Sequence, residues 1–252
     1  LGSGAAAWYS WNMQLVERTS QFHVYDDVLS DEDFRALWNY VQLETYAPVH
    51  QDSFVKVWRT TDGVPLGATT AVFYGKPKPG AGAAAADGGP KHGVAKLYPS
   101  HTAVDRVLAT LAQHLDDFAE LIGKQDVDFD RVSARSFLYP AGTALSWHAD
   151  DVQYAGGYAF YTHPEWRPQW GGELLVADES TRSQDPGGGE IVSIAREGGA
   201  LKATRIRIPP FLDSSRQDAV LSRRGLGRFI SARPNRLVVI AGGNPHRVNP
   251  VS

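Results

Sequence analysis

The 252-residue sequence contains no cysteine. That absence excludes disulfides, Cys-ligated zinc and thiol nucleophiles together, so any metal site must be assembled from His, Asp and Glu. With only 8 histidines, the possible ligands can be enumerated. The sequence also lacks an apolar run near the roughly 18 residues that a membrane span requires, and residues 1–11 show no basic segment followed by an apolar stretch. No membrane partner is expected, and the missing cysteines fit a cytoplasmic setting. Nor is there a block of like charge: 25 Lys and Arg stand against 28 Asp and Glu, a net charge of −3. Without a dense basic run the electrostatic footprint of a nucleic-acid binder is absent.

What is present is the composition of a folded globular chain, 42% hydrophobic and 21% charged. The length fits a single domain over 1–252. Residues 28–43 read as a helix, since Ser30 and Asp33 form an S-x-x-D capping box and Phe34, Leu37, Trp38 and Val41 recur at helical spacing. A second helix, the longest in the chain, is predicted over 102–122, where Val104, Val107, Leu108, Leu111, Leu115, Phe118, Leu121 and Ile122 form one stripe. Between them, 76–93 is a Gly/Ala/Pro stretch that cannot bury a continuous apolar face. It reads as a mobile loop, either a lid over substrate or a solvated insertion.

From 129 onward the texture changes to short β-type runs broken by Gly and Pro, at 131–139, 158–161, 173–176, 189–195, 203–208 and 236–241. Segment 1–128 is therefore expected to be a helical support and 129–252 a β-barrel core. The predicted fold is α+β and mainly β, an antiparallel barrel or jelly roll flanked by N-terminal helices.

Three His-x-Asp triplets occur, at His50/Asp52, His114/Asp116 and His148/Asp150. His114 and Asp116 lie in a helical pattern, where residues two apart diverge by about 200° around the axis and cannot chelate one ion. In a strand the same spacing puts both side chains on one face, about 6–7 Å apart at Cα, which suits two ligands of one metal. His148 has such a context: a β run, a Pro140-Ala141-Gly142 turn and Leu145 precede it. His50 follows Pro48 ahead of any sheet-like region and reads as a surface or satisfied histidine. His246 follows the apolar strand Leu237–Ala241 and a Gly242-Gly243 turn. His148, Asp150 and His246 together make a 2-His-1-carboxylate set, which leaves adjacent positions open for non-haem Fe(II) oxygen chemistry. No H-E-x-x-H helix supports a zinc hydrolase.

Four elements, in order, carry a resemblance: Tyr139-Pro140-Ala141-Gly142 with His148-Ala149-Asp150; Tyr161-Thr162-His163-Pro164-Glu165-Trp166; Trp170-Gly171-Gly172-Glu173-Leu174; and Pro234-Asn235-Arg236-Leu237-Val238-Val239-Ile240 leading to His246-Arg247-Val248. Over about half of the chain, 131–252, the sequence resembles the 2-oxoglutarate/Fe(II) dioxygenase superfamily, and within it the prolyl-hydroxylase-like group. The resemblance implies a double-stranded β-helix, a jelly-roll or cupin-like barrel, with the metal at its open end and the N-terminal helices packed on one sheet. It implies Fe(II), 2-oxoglutarate and O2 as the cofactor and co-substrates. Tyr139 takes the place of the tyrosine that meets the distal carboxylate of the keto acid, and Tyr161, Leu174 and Val248 fall at positions lining that pocket.

Relatives carry an Arg or Lys beyond the second histidine as the carboxylate anchor, whereas this sequence ends six residues after His246. Either that base lies outside the sequence or another substitutes for it; Arg135 is the candidate, four residues before Tyr139 on the expected strand. Because Asp150 stands where related halogenases have a small residue, hydroxylation is preferred to halogenation.

The expected activity is hydroxylation of an unactivated C–H bond in a small molecule, such as an amino acid or natural-product intermediate. The alternatives are a peptidyl, prolyl-type hydroxylase and a cupin-like metalloenzyme that does not use 2-oxoglutarate. Tyr154, Tyr158, Trp166 and Trp170 are expected near the mouth, as stacking groups or as rim.

Overall fold

The computed structural model describes residues 13–48, 63–76, 93–149, 154–178, 190–197, 200–207 and 227–252. The N-terminal part contains β1 (Gln14–Arg18), β2 (Phe22–Asp26), α1 (Asp31–Leu43), β3 (Tyr46–Pro48), β4 (Leu66–Ala68), β5 (Thr70–Gly75), β6 (Val94–Leu97), α2 (Val104–Gln113) and α3 (Ala119–Ile122). Ten strands follow: β7 (Arg131–Ala134), β8 (Phe137–Leu138), β9 (Leu145–His148), β10 (Gly156–Phe160), β11 (Leu174–Ala177), β12 (Glu190–Glu197), β13 (Ala200–Arg207), β14 (Gly227–Ile230), β15 (Leu237–Ala241) and β16 (His246–Val248). Among the described residues the chain is thus mainly β, and no helix is long and apolar enough to cross a membrane.

Two four-stranded antiparallel sheets form the centre, ordered β1-β2-β15-β10 and β14-β11-β16-β9. Their facing sides share one apolar cluster: Phe22 and Val24 of β2 and Val238 and Ile240 of β15 meet Leu174 and Val176 of β11 and Ile230 of β14. The alternate residues of the same two strands point the other way. Tyr25, Leu237, Val239 and Ala241 join Leu37 and Val41 of α1, Val107, Leu108 and Leu111 of α2 and Leu121 of α3 in a second cluster. Period-two alternation therefore makes β15 a shared wall, with even positions in the sandwich and odd positions under the helices.

At the end of β2 the chain turns through a buried ionic corner. Asp26, 1% exposed, receives Arg236 Nε at 2.7 Å and Nη2 at 2.9 Å, and Arg233 Nη1 at 2.6 Å. This ties the start of β15 to the entry of α1. Asn235 completes the tie, its Oδ1 accepting from Leu29 N at 2.9 Å and its Nδ2 donating to Leu29 O at 2.8 Å.

The helix predicted over 28–43 is α1, with Ser30 as its N-cap accepting from Asp33 N. The continuous helix predicted over 102–122 is corrected. α2 stops at Gln113, a 3-10 turn spans Leu115–Phe118, and α3 adds one turn, so α1 is the longest described helix. The break falls at His114, whose φ of −113° leaves the helical region and whose Nδ1 lies 2.7 Å from Asp117 Oδ2. The local side-chain bond competes with the helical ladder, and the apolar stripe continues across it because the 3-10 turn still buries Phe118.

The helical support expected over 1–128 holds, among the described residues, six strands besides its helices, and β2 is an inner strand of the first sheet. Every residue of β2 is buried, the polar His23 and Asp26 included, so neither of its faces meets solvent. The strand predicted over 131–139 is broken as well. β7 pairs with β5 and β8 with β4, in two different sheets, and Arg135-Ser136 makes the corner. The loop predicted over 76–93, and His50 with Asp52, lie largely or wholly outside the described residues.

Candidate metal centre

β9 and β16 are neighbours in the second sheet, and their register places His246 opposite His148. The two imidazole centroids are 4.2 Å apart with the planes inclined by 56°. Both residues are buried, at 6% and 7% exposure. On the adjoining positions Arg247 lies over the Trp147 ring, 5.9 Å from its centroid, so the strands direct the imidazoles to one face and this cation–π pair to the other.

Each imidazole is held in the same way. His148 Nδ1 lies 2.8 Å from Ser146 O, and His246 Nδ1 lies 2.9 Å from Asn244 O. A carbonyl can only accept, so Nδ1 carries the hydrogen of each bond, and in a neutral ring that leaves the lone pair on Nε2. That tautomer, fixed by a backbone carbonyl on the other nitrogen, is the one a metal-binding histidine requires. Two buried histidines prepared identically and facing one another fit a divalent transition metal. Among the described residues no three His, Asp or Glu side chains cluster, and Asp150 lies outside them, immediately after the buried Ala149.

The residues expected to line the co-substrate pocket divide. Leu174 and Val248 are register partners on β11 and β16, and Tyr161 and Val248 pack against the sandwich cluster that contains Leu174. Burial pushes the Tyr161 hydroxyl far above its ordinary range, and the neighbouring Tyr139 adds to the shift. Tyr161, Leu174 and Val248 are thus brought together on the sheet pair that carries the histidines, whereas Tyr139 follows β8 of a separate sheet and is linked to them by its electrostatic effect on Tyr161. Tyr161 remains a protonated donor at any ordinary pH.

Arg135 is held against β4 and β8. Its Nε donates to Ala68 O at 2.8 Å, its guanidinium lies 5.3 Å from the Phe137 ring centroid, and a Cβ on Gly67 would collide with it. Because β7 and β8 are separate strands, the premise that Arg135 shares a strand face with Tyr139 fails. Burial depresses the Arg135 guanidinium.

Of the aromatics expected at the mouth, Tyr158 packs on the helical side and donates to Ser133 O at 2.9 Å. Trp166 Nε1 donates to Gly171 O at 2.9 Å, and Trp170 is 39% exposed beneath Arg167. Tyr154 is exposed.

Sequence reasoning misses Ser146 and Asn244, because they act through main-chain carbonyls that every residue possesses. It also misses Gln21, a lone polar residue in a turn.

No family model matches the chain, and no curated protein matches it. Among solved structures, a prolyl-4-hydroxylase of Pseudomonas putida superposes with a TM-score of 0.47 at 16% identity, covering 92% of this chain and 86% of that one.

Proposed function

We propose that this chain is a non-haem Fe(II) oxygenase that uses 2-oxoglutarate and O2 to hydroxylate an unactivated C–H bond of a small molecule, such as an amino acid or natural-product intermediate. The observation that carries this reading is the facing pair His148 and His246, each with Nδ1 bound to a carbonyl two residues earlier. Asp150, two positions beyond His148, supplies the carboxylate of the ligand set, and the two packed sheets are read as a double-stranded β-helix. Iron(II) bound there would bring O2 and the keto acid together, so that 2-oxoglutarate is decarboxylated to succinate and carbon dioxide while the substrate C–H becomes C–OH.

The chain's own groups have separable tasks. The carbonyls of Ser146 and Asn244 hold both rings in the ligating tautomer. The Asp150 carboxylate offsets part of the ion's charge. Tyr139 and Tyr161 present hydroxyl donors to the keto acid, and burial keeps that of Tyr161 protonated. Leu174 and Val248 form an apolar wall that excludes water and confines the reacting groups.

The test is thermal unfolding with Mn(II), then with Mn(II) and 2-oxoglutarate. A ligand bound only by the folded state raises the melting temperature. The wild-type chain is expected to show a rise with Mn(II) and a further rise with 2-oxoglutarate, and His148→Ala is expected to show neither. An equal rise in His148→Ala, or none in the wild type, refutes the assignment. A rise with Mn(II) that 2-oxoglutarate leaves unchanged favours the metalloenzyme that does not use the keto acid.

A further inference from the structure

We infer that Gln21 is a positioning residue for His246, acting across the two sheets through the turn that carries Asn244; this rests on the reading of His246 as a metal ligand. Gln21 lies in the β1–β2 turn of the first sheet and is 7% exposed. Its side-chain amide donates twice, to Ala177 O at the end of β11 at 2.9 Å and to Asn244 Oδ1 at 3.3 Å. Its main-chain oxygen accepts from Ala241 N at 2.8 Å, at the other end of the same turn. Ala177 in turn donates its N–H to Pro245 O at 2.8 Å. The segment 241–245 is therefore gripped at Ala241, Asn244 and Pro245, and Gln21 takes part directly at the first two.

Asn244 is the residue whose main-chain oxygen fixes the His246 tautomer. It is fully buried, and among the described residues its Nδ2 has no hydrogen-bond partner. An unsatisfied buried donor is destabilising, because it has given up its water without a replacement. An apolar residue of similar shape would avoid that cost, so the asparagine is understood through its Oδ1, the atom that Gln21 holds. Rotation of the Asn244 peptide would take its carbonyl away from His246 Nδ1, and the bond from Gln21 opposes that rotation. Partners of this outer kind orient the ligand ring rather than touch the ion, and their loss typically weakens metal binding about 10- to 100-fold.

Two variants of the full chain separate this role from ordinary packing. Gln21→Met keeps the length and loses both donors; Asn244→Ala keeps the main-chain carbonyl and loses Oδ1. Titration of Mn(II) is expected to give an affinity about tenfold or more weaker in each. In the metal-free chain, nitrogen-15 NMR is expected to show the His246 Nδ1–H signal shifted or exchanging faster, with that of His148 in place. Variants that bind Mn(II) like the wild type and leave the His246 signal unmoved overturn the inference. So does a fall in melting temperature with both imidazole signals unchanged, which marks plain packing. If the wild type binds no Mn(II), the metal reading fails and the NMR comparison alone decides the role of Gln21. Should Gln21→Met not fold, Asn244→Ala decides by the same two readouts.

Discussion

At the scale of single residues, the side chains that hold this molecule together are mostly those that no motif marks. Asp26 is the plainest case, a buried carboxylate between two guanidiniums, one of them nearly buried itself. Asp26→Ala leaves the Arg236 charge without its partner, and loss of one member of such a pair costs about 3–5 kcal/mol. Chemical denaturation is expected to show a loss of that size. His23 supplies a pH dependence. Burial lowers its pKa below the ordinary histidine range, with the Glu120 carboxylate at 2.5 Å partly opposing the shift. The folded state therefore keeps His23 neutral while the unfolded chain takes up the proton first. Its contribution is fully present above the unfolded pKa and is lost as pH falls through the folded one. Melting temperatures are expected to drop as the medium is taken below about pH 6.5, with a shallower drop in His23→Gln. The paired histidines differ from these residues in being legible. Their spacing, strand context and scarcity single them out in sequence, whereas the carbonyls that set their tautomers leave no sequence trace.

At the scale of elements, the reading of the sequence succeeds where a local rule operates. The α1 start is foreseen because its cap is local: Ser30 Oγ accepts from Asp33 N at 3.1 Å. Ser30→Ala is expected to cost about 1 kcal/mol, seen as a lower urea midpoint at unchanged slope. β10, β11 and β15 are foreseen from short apolar runs between turns, with ends displaced by a residue or two. The failures are of two kinds. β2 is hidden because its run is only five residues long and its inner-strand place depends on β15, far away in sequence, although both of its faces are covered, one by the opposite sheet and one by helices. The break at His114 is hidden because the apolar stripe runs through it while a local side-chain bond to Asp117 competes with the helical ladder, and that at Arg135 because the backbone changes partner for reasons set by distant strands. Arg135 looks available only if the strand is unbroken; once the corner is recognised, its guanidinium belongs to the β4 backbone.

At the scale of the whole molecule, a mainly β sandwich with helices on one outer face could be inferred from the order of the sequence textures. The participation of the N-terminal strands in the first sheet could not, since β1 and β2 are joined to β15 across most of the chain length. That long-range closure also brings Gln21 to the turn before His246, so the proposed metal site depends on both ends of the chain. β15, like β2, has buried side chains on both faces and ladder partners on both edges. No local fraying can expose its amides, because either neighbouring strand and either covering layer must leave first. In deuterium exchange, the amides of 237–241 are expected to be among the last to acquire the label, at a rate set by global unfolding rather than by any local opening.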